Sequence, residues 1–301
     1  MEVYIHLGIH KTASTFLQKN IFPQINDAIF LDRSLCKELK QYILYTDDFE
    51  FDSEKGKEIF NRIISEYKNY KKVIISDEEF YCNPYMGAID RKRNLDRILS
   101  IFGQDTHFLI FIRNQNNLLL SLYSYYIKTG GTASLTDFIS YKKYPLRVDV
   151  NYFLYDKYLK YIIEKTSLNN LQIILFEEFV ENQKQTIDKI CTFFNSPLLE
   201  INLQKNKVVN SSLSYNLLNI NRFINKFLKS SKSPFSLLPL IFHRYNRKIF
   251  ESIKLNDKKA KKKYLIQIAD NKEFNNMIIK SNNSLSELYN KSELLKYKYP
   301  F

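Results

Sequence analysis

Four short apolar runs, rich in β-branched and aromatic side chains, stand out in the first two thirds of the chain. They cover Val3–Leu7, Val73–Ser76, Phe108–Arg113 and Leu171–Phe176. Their continuous hydrophobic character is typical of strands that are buried on both faces. Because segments with helical spacing separate them, the pattern predicts an α/β fold, a three-layer sandwich with a central parallel sheet covered by helices on both sides. In such sheets ligands bind at the carboxyl ends of the strands.

The helices are predicted from the spacing of apolar residues and from breakers such as Asn195-Ser196-Pro197. Beyond Leu203 no clear strand appears and the remaining segments have helical spacing. We therefore predict a core over residues 1–204 and a basic helical extension over residues 205–301 packed on it, as two domains or as one. The predicted helices cover Ser14–Ile21, Lys55–Tyr70, Asp90–Phe102, Leu118–Lys128, Tyr152–Lys165, residues 187–194, Leu213–Lys229, Ile241–Leu255, Lys258–Asp270 and Ser284–Lys296.

Length and composition narrow the class of protein. With 301 residues, of which 45% are hydrophobic, the chain can bury a large core. No secretory signal is expected, because Glu2 to Leu7 already fits a buried strand, so we predict a cytoplasmic protein. The three cysteines lack any CxxC spacing, which indicates neither a disulfide framework nor a zinc site. The apolar stretch 235–242 is too short to span a bilayer and is interrupted by Pro239.

The net charge of +13 is concentrated in one segment. Residues 205–263 contain fifteen Lys and Arg against Glu251 and Asp257 alone. This imbalance suggests an anionic partner for the extension, or simply a solvated helical surface. Apolar residues such as Phe223 and Phe227 alternate there with Lys226 and other bases, as in a helix at a membrane surface or a helix packed on the core. Nucleic acid is a less favoured partner, because no known binding module is visible.

The stretch HLGIHKTASTFLQ, residues 6–18, directly follows the first predicted strand. A strand, a glycine and then Lys11-Thr12 at the start of a helix form an arrangement that binds phosphate, because amide N–H groups and the helix dipole both favour an anion. Hydroxyls in the next positions add donors, although they could also serve only as helix caps. A nucleotide triphosphate P-loop would need glycine where the chain has Ile5 and His10.

The same stretch resembles the 5′-phosphosulfate-binding loop of sulfotransferases that use 3′-phosphoadenosine-5′-phosphosulfate (PAPS). In that family a Lys-[Ser/Thr]-Gly-[Thr/Ser]-Thr core runs into a bulky residue and Leu-Gln. Ala13 stands where the family has Gly, and we expect this to be tolerated if the backbone there is helical. The resemblance implies that PAPS is the cofactor. Its implied cofactor-binding residues in the loop are His10, Lys11, Thr12, Ala13, Ser14 and Thr15.

A second motif is collinear with the first. Arg113 ends the third predicted strand and Ser121 follows eight residues later on a helix, similar to the family's 3′-phosphate site. Asn114-Gln115 replace the family's common Asp-Pro. A weaker match at residues 207–214 adds Asn210 and Ser212 as residues that would close over the nucleotide. The resemblance covers about residues 1–215, and residues 281–285 and 298–300 match only loosely.

Sulfuryl transfer requires a cation for the charge that develops on the bridging oxygen and a base for the acceptor proton, and it demands no metal. We assign the first role to Lys11. Glu78, at the end of the second predicted strand, matches the glutamate that can act as base in bacterial carbohydrate-type members. Asp77, Glu79 and His10 stay open as alternatives, His10 because an ordinary histidine pKa suits a base.

The sequence therefore predicts a cytoplasmic, PAPS-dependent bacterial sulfotransferase for surface polysaccharide biosynthesis, with a carbohydrate or lipid-linked saccharide acceptor that is anionic if the basic extension binds it. Residues 205–263 could also contact the inner membrane surface peripherally. The main alternative is a P-loop kinase or ATPase in which Asp77 and Glu78 form a Walker B pair. A further alternative is a protein without catalytic activity that binds an anionic polymer or a membrane surface.

Overall fold

The computed structural model describes residues 1–139, 148–199, 213–230, 232, 236–253 and 255–301. Its centre is a five-stranded sheet in which every neighbouring pair of strands is parallel. The order across the sheet is β2-β3-β1-β4-β5. The strands are β1 (Glu2–Leu7), β2 (Ala28–Leu31), β3 (Lys72–Asp77), β4 (His107–Ile112) and β5 (Leu171–Leu175).

The sheet is covered on both faces, which confirms the predicted α/β sandwich. Alternate residues of β1 and β4 enter two separate hydrophobic clusters: Ile5 and Ile110 lie on one face, Tyr4 and Leu109 on the other. This is the period of two expected for strands buried on both sides. Four of the five strands are predicted by the sequence. The edge strand β2 escapes prediction, because it has only four residues and two of them are partly exposed.

The helices begin and end within a few residues of most predicted limits. Four helices, α2, α6, α8 and α13, have no predicted counterpart over all or most of their length. The α-helices are α1 (Ser14–Asn20), α2 (Lys37–Tyr45), α3 (Ser53–Ile64), α4 (Arg91–Phe102), α5 (Gln115–Lys128), α6 (Leu135–Ile139), α7 (Tyr155–Lys165), α8 (Phe176–Glu181), α9 (Gln183–Phe193), α10 (Leu218–Asn225), α11 (Leu240–Ser252), α12 (Lys258–Ala269), α13 (Lys272–Leu285) and α14 (Lys291–Lys296).

The described helices after residue 213 pack on one face of the sheet layer. Leu218, Tyr264, Ile278 and Leu294 belong to the same buried cluster as Ile5 of β1. Helix α13 lies against α7, while α10 and α12 lie against α5. The division of the chain into two domains stays a prediction. Within the described residues, no helix is both long enough and apolar enough to cross a membrane.

Candidate active site

The topology creates a crevice where β1 and β4 lie side by side. The chain first builds β2 and β3 on one side of β1 and then crosses to build β4 and β5 on the other. Helical connections therefore leave β1 and β4 in opposite directions, and such switch points are where open parallel sheets bind ligands. The residues that follow these two strands, the loop 8–13 and Arg113, are the ones singled out by the sequence motifs.

The loop after β1 has an unusual backbone. Lys11 and Ala13 both have positive φ, at 67° and 71°, whereas Thr12 between them does not. Alternation of left- and right-handed residues turns successive N–H groups toward one concavity, an arrangement that binds anions. The Thr12 hydroxyl donates to the Ile9 carbonyl at 2.5 Å. Thr12 therefore stabilises the loop, and its proton is not directed at a ligand in this structure.

A helical backbone at Ala13 was the condition under which we expected alanine to be tolerated, and this condition is not met. Ala13 is the residue before α1 and adopts the left-handed conformation, with φ 71° and ψ 11°. Glycine is favoured there because a Cβ atom clashes with the backbone in that region. The family's glycine thus has a conformational reason, and this chain keeps the conformation with an alanine.

Replacing Ala13 with glycine should stabilise the protein. Relief of the left-handed strain, about 1–2 kcal/mol, exceeds the added chain entropy of glycine, roughly 0.5–1 kcal/mol, so we expect a gain of about 0.5–1 kcal/mol. Urea unfolding of the Ala13→Gly variant measures this gain. Ala260, inside α12, is the matched control, because glycine there should lower stability by about 1 kcal/mol. Equal losses at both positions would contradict the strain at Ala13.

Gly8 allows β3 to approach the loop closely. A Cβ on Gly8 would lie 3.0 Å from Glu78 Cγ and 3.0 Å from Ser14 Oγ. Since β1 and β3 pair with Leu7 opposite Asp77, Glu78 lies beside the first residue of the loop. The Ser14 hydroxyl is buried and has no hydrogen-bond partner among the described residues. A buried hydroxyl without a partner is costly, and an anion in the loop would supply one.

Lys11 is a half-buried cation, and the carboxylate of Glu78 is close enough to act on its charge without contacting it in an ion pair. Its Nζ lies 4.0 Å from the centre of the Tyr125 ring, and no ion pair joins it to any acid of the described residues. Burial, followed by the nearby Lys128, lowers the pKa of Lys11 to about 8. A negatively charged ligand would remove this penalty, because it favours the protonated form.

Arg113 points toward the loop and not away from it. Its Nη1 donates to the Lys11 carbonyl at 2.8 Å, and its guanidinium packs 4.5 Å from the ring centre of Phe176. Burial lowers the pKa of Arg113, and its Nε is buried without a partner. The two predicted anion-binding elements are therefore adjacent, and N–H groups of Arg113 remain available to an oxyanion.

Thr15 and Ser121 lie on α1 and α5, the helices that follow β1 and β4. Ser121 is half-buried on α5, one turn before Tyr125, whose ring contacts Lys11. Thr15 is half-buried in the first turn of α1. Asn210 and Ser212 lie outside the described residues.

The acidic candidates differ sharply in their partners. Asp77 is buried and bound by Lys40 at 2.8 Å, and Lys40 also contacts Glu79 at 2.7 Å. The Tyr45 hydroxyl also donates to Glu79, at 3.0 Å. Burial acts to raise the pKa of Glu79, but the contact with Lys40 outweighs burial, so the pKa of Glu79 lies below its usual value. Glu78 is paired with the exposed Arg33 and stands beside the loop. Of these three carboxylates, Glu78 thus has the fewest partners, and it stands beside the loop.

The reason for considering His10 as a base does not hold. Burial, followed by the charge of Lys11, lowers its pKa to about 4. The His10 backbone N–H donates to the Tyr152 hydroxyl at 3.0 Å, and its ring Nδ1 lies 3.3 Å from the same oxygen. Tyr152 therefore fixes a neutral His10 and with it the start of the loop.

Several contacts of the crevice could not be predicted from the motifs. Arg33 and Lys40, which follow β2 in the chain, form ion pairs with Glu78 and Asp77. The short apolar run Ala28–Leu31 was the only sequence feature that could have predicted β2. Tyr125 was seen only as part of a tyrosine-rich stretch. Such partners are distant in sequence, so only the fold brings them together.

The Asn114-Gln115 pair has a structural role. Asn114 caps α5 by accepting from the Asn117 N–H, and its Nδ2 donates to the Lys298 carbonyl at 2.6 Å. Gln115 donates to Asn282 at 2.6 Å, and Asn282 donates to the Pro300 carbonyl at 2.8 Å. The two amides thus join the end of β4 to the loosely matching carboxyl-terminal segments.

Fold and crevice together define a parallel α/β protein with two cationic side chains, Lys11 and Arg113, at the topological switch point. No family model matches the sequence, and no curated protein matches it. The solved structures to which this chain is similar include three sulfotransferases. A sulfotransferase from Alicyclobacillus acidocaldarius has a TM-score of 0.47 and 15% identity, over 68% of this chain and 87% of that one. A sulfotransferase domain of the curacin biosynthetic pathway has a TM-score of 0.42 and 11% identity, over 89% of this chain and 97% of that one. Mouse sulfotransferase SULT7A1, solved as a complex with PAP, has a TM-score of 0.37 and 13% identity, over 95% of this chain and 82% of that one.

Proposed function

We propose that this protein is a sulfotransferase that moves a sulfuryl group from PAPS to a hydroxyl or amine of an acceptor. The observation that carries the proposal is the pair of adjacent cations, Lys11 and Arg113, at the switch point, neither of which forms an ion pair within the described residues. Both are half-buried, and the orphaned Ser14 Oγ and Arg113 Nε lie at the same two strand ends. Uncompensated buried charge and unpaired donors are costly unless a ligand completes them. A doubly phosphorylated nucleotide has the required charges.

The residues fit the two ends of such a cofactor. The loop N–H groups, Ser14 and Thr15 would hold the 5′-phosphosulfate, and Arg113 with Ser121 would hold the 3′-phosphate. An arginine is suited to the latter because its planar fork binds phosphate oxygens in pairs. His10, Thr12 and Ala13 would contribute through the shape of the loop, and Asn210 and Ser212 stay predictions. When bound, PAPS supplies the activated sulfuryl group.

The protein's own residues supply positioning, a cation and a base. Lys11 would stabilise negative charge that develops on the leaving phosphate oxygen, and its confinement against Tyr125 limits the reorganisation that this needs. Glu78 would take the proton from the acceptor hydroxyl. Arg33 would orient the Glu78 carboxylate, while Lys40 keeps Asp77 and Glu79 in other contacts.

A carbohydrate is the acceptor that we propose, in line with the motif around Glu78. The wall beside Lys11 supports it, because the half-exposed ring of Tyr125 offers a flat apolar face, and the half-buried Tyr85 lies near it. Lys232 stacks 4.4 Å from the centre of the Tyr85 ring. Such a wall suits a sugar, and its lysine suits an acidic one.

The kinase alternative is less favoured. Asp77 would have to bind magnesium, but its carboxylate is buried and already neutralised by Lys40 at 2.8 Å. A magnesium ion would have to displace that ion pair. Arg113 would also have no function in a kinase in which Asp77 and Glu78 form a Walker B pair.

Calorimetry with three nucleotides tests the proposed cofactor site. Wild type should bind adenosine 3′,5′-bisphosphate more tightly than AMP, which lacks the 3′-phosphate, and more tightly than magnesium ATP. Arg113→Ala should lose about 2 kcal/mol, or roughly thirtyfold, in binding the bisphosphate and little in binding AMP. Arg62→Ala, an exposed arginine on α3, is the control that should bind both like wild type.

A different ranking of the ligands would count against the proposal. Tightest binding of magnesium ATP would favour a kinase. Equal losses for the bisphosphate and AMP in Arg113→Ala would mean that the guanidinium does not bind the 3′-phosphate.

A further inference from the structure

Helix α10 has its polar side inward and part of its apolar side outward. Leu218 is buried together with Asn221 and Asn225, whereas Phe223 is 60% exposed. The Asn225 amide donates to the Ile127 carbonyl at 2.7 Å and to the Gly131 carbonyl at 3.0 Å. An amphipathic helix on a globular core normally buries its apolar residues. Packing on the core therefore does not account for the exposed phenylalanine.

The exposed apolar side chains continue into α11. Ile241, Tyr245 and Ile249 recur every fourth residue and all are exposed, while the buried residues of this helix are His243 and Phe250. Before it, Leu237 is 85% exposed. Phe227 accepts a backbone hydrogen bond from Leu238 at 2.9 Å, which joins this segment to the end of α10.

We call this region the outer apolar surface and define it by Phe223, Phe227, Leu237, Ile241, Phe242 and Ile249. Among the residues described by the structure, 12 of 24 exposed large hydrophobic side chains lie between positions 220 and 255. Isolated exposed apolar residues are ordinary, but such a concentration marks an interaction surface.

Positive charge surrounds the outer apolar surface. Lys226 Nζ lies 6.0 Å from the centre of the Phe223 ring, and Arg244 and Lys248 are exposed on α11. Glu251 is already bound by Lys128 and Arg247 at 2.8 and 2.9 Å. A symmetric pairing of two copies would bring like charges together. An anionic surface would instead match both the apolar and the basic side chains.

We propose that the outer apolar surface binds an anionic lipid bilayer, with its apolar side chains in the headgroup region and the basic residues on lipid phosphates. Aromatic and aliphatic side chains beside Lys and Arg are the combination by which peripheral helices bind such membranes. This binding does not depend on the enzymatic proposal. The ion pair between Lys128 of α5 and Glu251 of α11 connects the surface to the helix that carries Tyr125, so a bound bilayer would lie near the crevice.

The absence of tryptophan from the sequence provides a direct experiment. Phe242→Trp would place the single indole of the full-length protein on the outer apolar surface. Its emission should shift to the blue when vesicles of phosphatidylcholine and phosphatidylglycerol are added at low salt. Phe49→Trp is the matched control, because Phe49 is 99% exposed in the loop between α2 and α3, and its emission should not move.

Charge reversal separates lipid binding from other associations. Lys226→Glu with Lys248→Glu in the Phe242→Trp background should weaken binding at least roughly tenfold, as high salt should. Thermal unfolding would verify that each variant is folded. A folded Phe242→Trp protein that ignores anionic vesicles would overturn the proposal, as would equal binding to pure phosphatidylcholine. A blue shift that depends on protein concentration without vesicles would instead identify a second copy as the occupant.

Discussion

Lys11→Ala should lower the turnover of sulfuryl transfer about 10²- to 10³-fold, the range found when one preorganised donor to a developing oxyanion is removed. The cause is loss of a cation that forms no ion pair within the described residues and that lies against the Tyr125 ring. Transfer of radiolabel from PAPS to a panel of surface polysaccharide fractions measures the effect. Lys19 is an exposed lysine in the last turn of α1, the helix that follows the loop, and the Lys19→Ala variant should transfer like wild type.

The pH dependence of cofactor binding tests the role of Lys11 independently. The pKa of Lys11, about 8 because of burial and Lys128, lies below its usual value. Binding of an anion favours the protonated amine, so affinity for adenosine 3′,5′-bisphosphate should fall as the pH rises above this value. The Lys11→Ala variant should lack that fall. Unchanged transfer in Lys11→Ala, together with a wild-type pH profile, would refute the role of Lys11.

Glu78→Gln should retain cofactor binding and lose about 10²- to 10⁴-fold in turnover, which is the usual contribution of a general base. The substitution preserves the size of the side chain beside Gly8, while the amide cannot accept the acceptor's proton. Initial rates of label transfer at saturating acceptor measure the loss. Calorimetry with adenosine 3′,5′-bisphosphate verifies that the cofactor site is intact.

Glu79→Gln is the matched control for the base. Glu79 is one residue away but is held by Lys40 and Tyr45, so we expect its variant to keep most of the turnover. If Glu79→Gln lost activity and Glu78→Gln kept it, the base would be the neighbouring carboxylate. Near-full turnover in both variants would remove this strand end from the chemistry.

The outward phenylalanines of α10 show where a sequence pattern is ambiguous. Alternating apolar and basic residues are compatible with a core helix or with a membrane-surface helix. The structure contains elements of both, since Leu218 is buried while Phe223 is exposed. The deciding residues are Asn221 and Asn225, which are buried with partners distant in sequence: Asn225 Nδ2 donates to the Ile127 and Gly131 carbonyls, and Asn221 Oδ1 accepts from Asn246. Nothing in the local sequence reveals those partners.

The backbone conformation of the loop after β1 was a second feature that the sequence could not predict. Alanine is a good helix former, so the sequence suggested a helical Ala13, whereas the turn from β1 into α1 imposes a left-handed residue. Propensity is a weak preference, and the direction in which the helix must leave the sheet overrides it. The short strand β2 is a similar case, because pairing with β3 stabilises four residues that have little strand signal of their own.

The sequence alone determined the parallel sheet, four of its five strands and the positions of Lys11 and Arg113 at strand ends. These features could be predicted because a buried apolar run, and its spacing from the next one, are visible in the local sequence of each segment. Only the tertiary structure decided which charges meet. Lys40 reaches Asp77, Arg33 reaches Glu78 and Arg113 reaches the Lys11 carbonyl across separations of 37, 45 and 102 residues. The free energy of a buried charge depends on the partners that the fold places around it, so the chemistry of the crevice is a property of the packed sheet and not of any one segment.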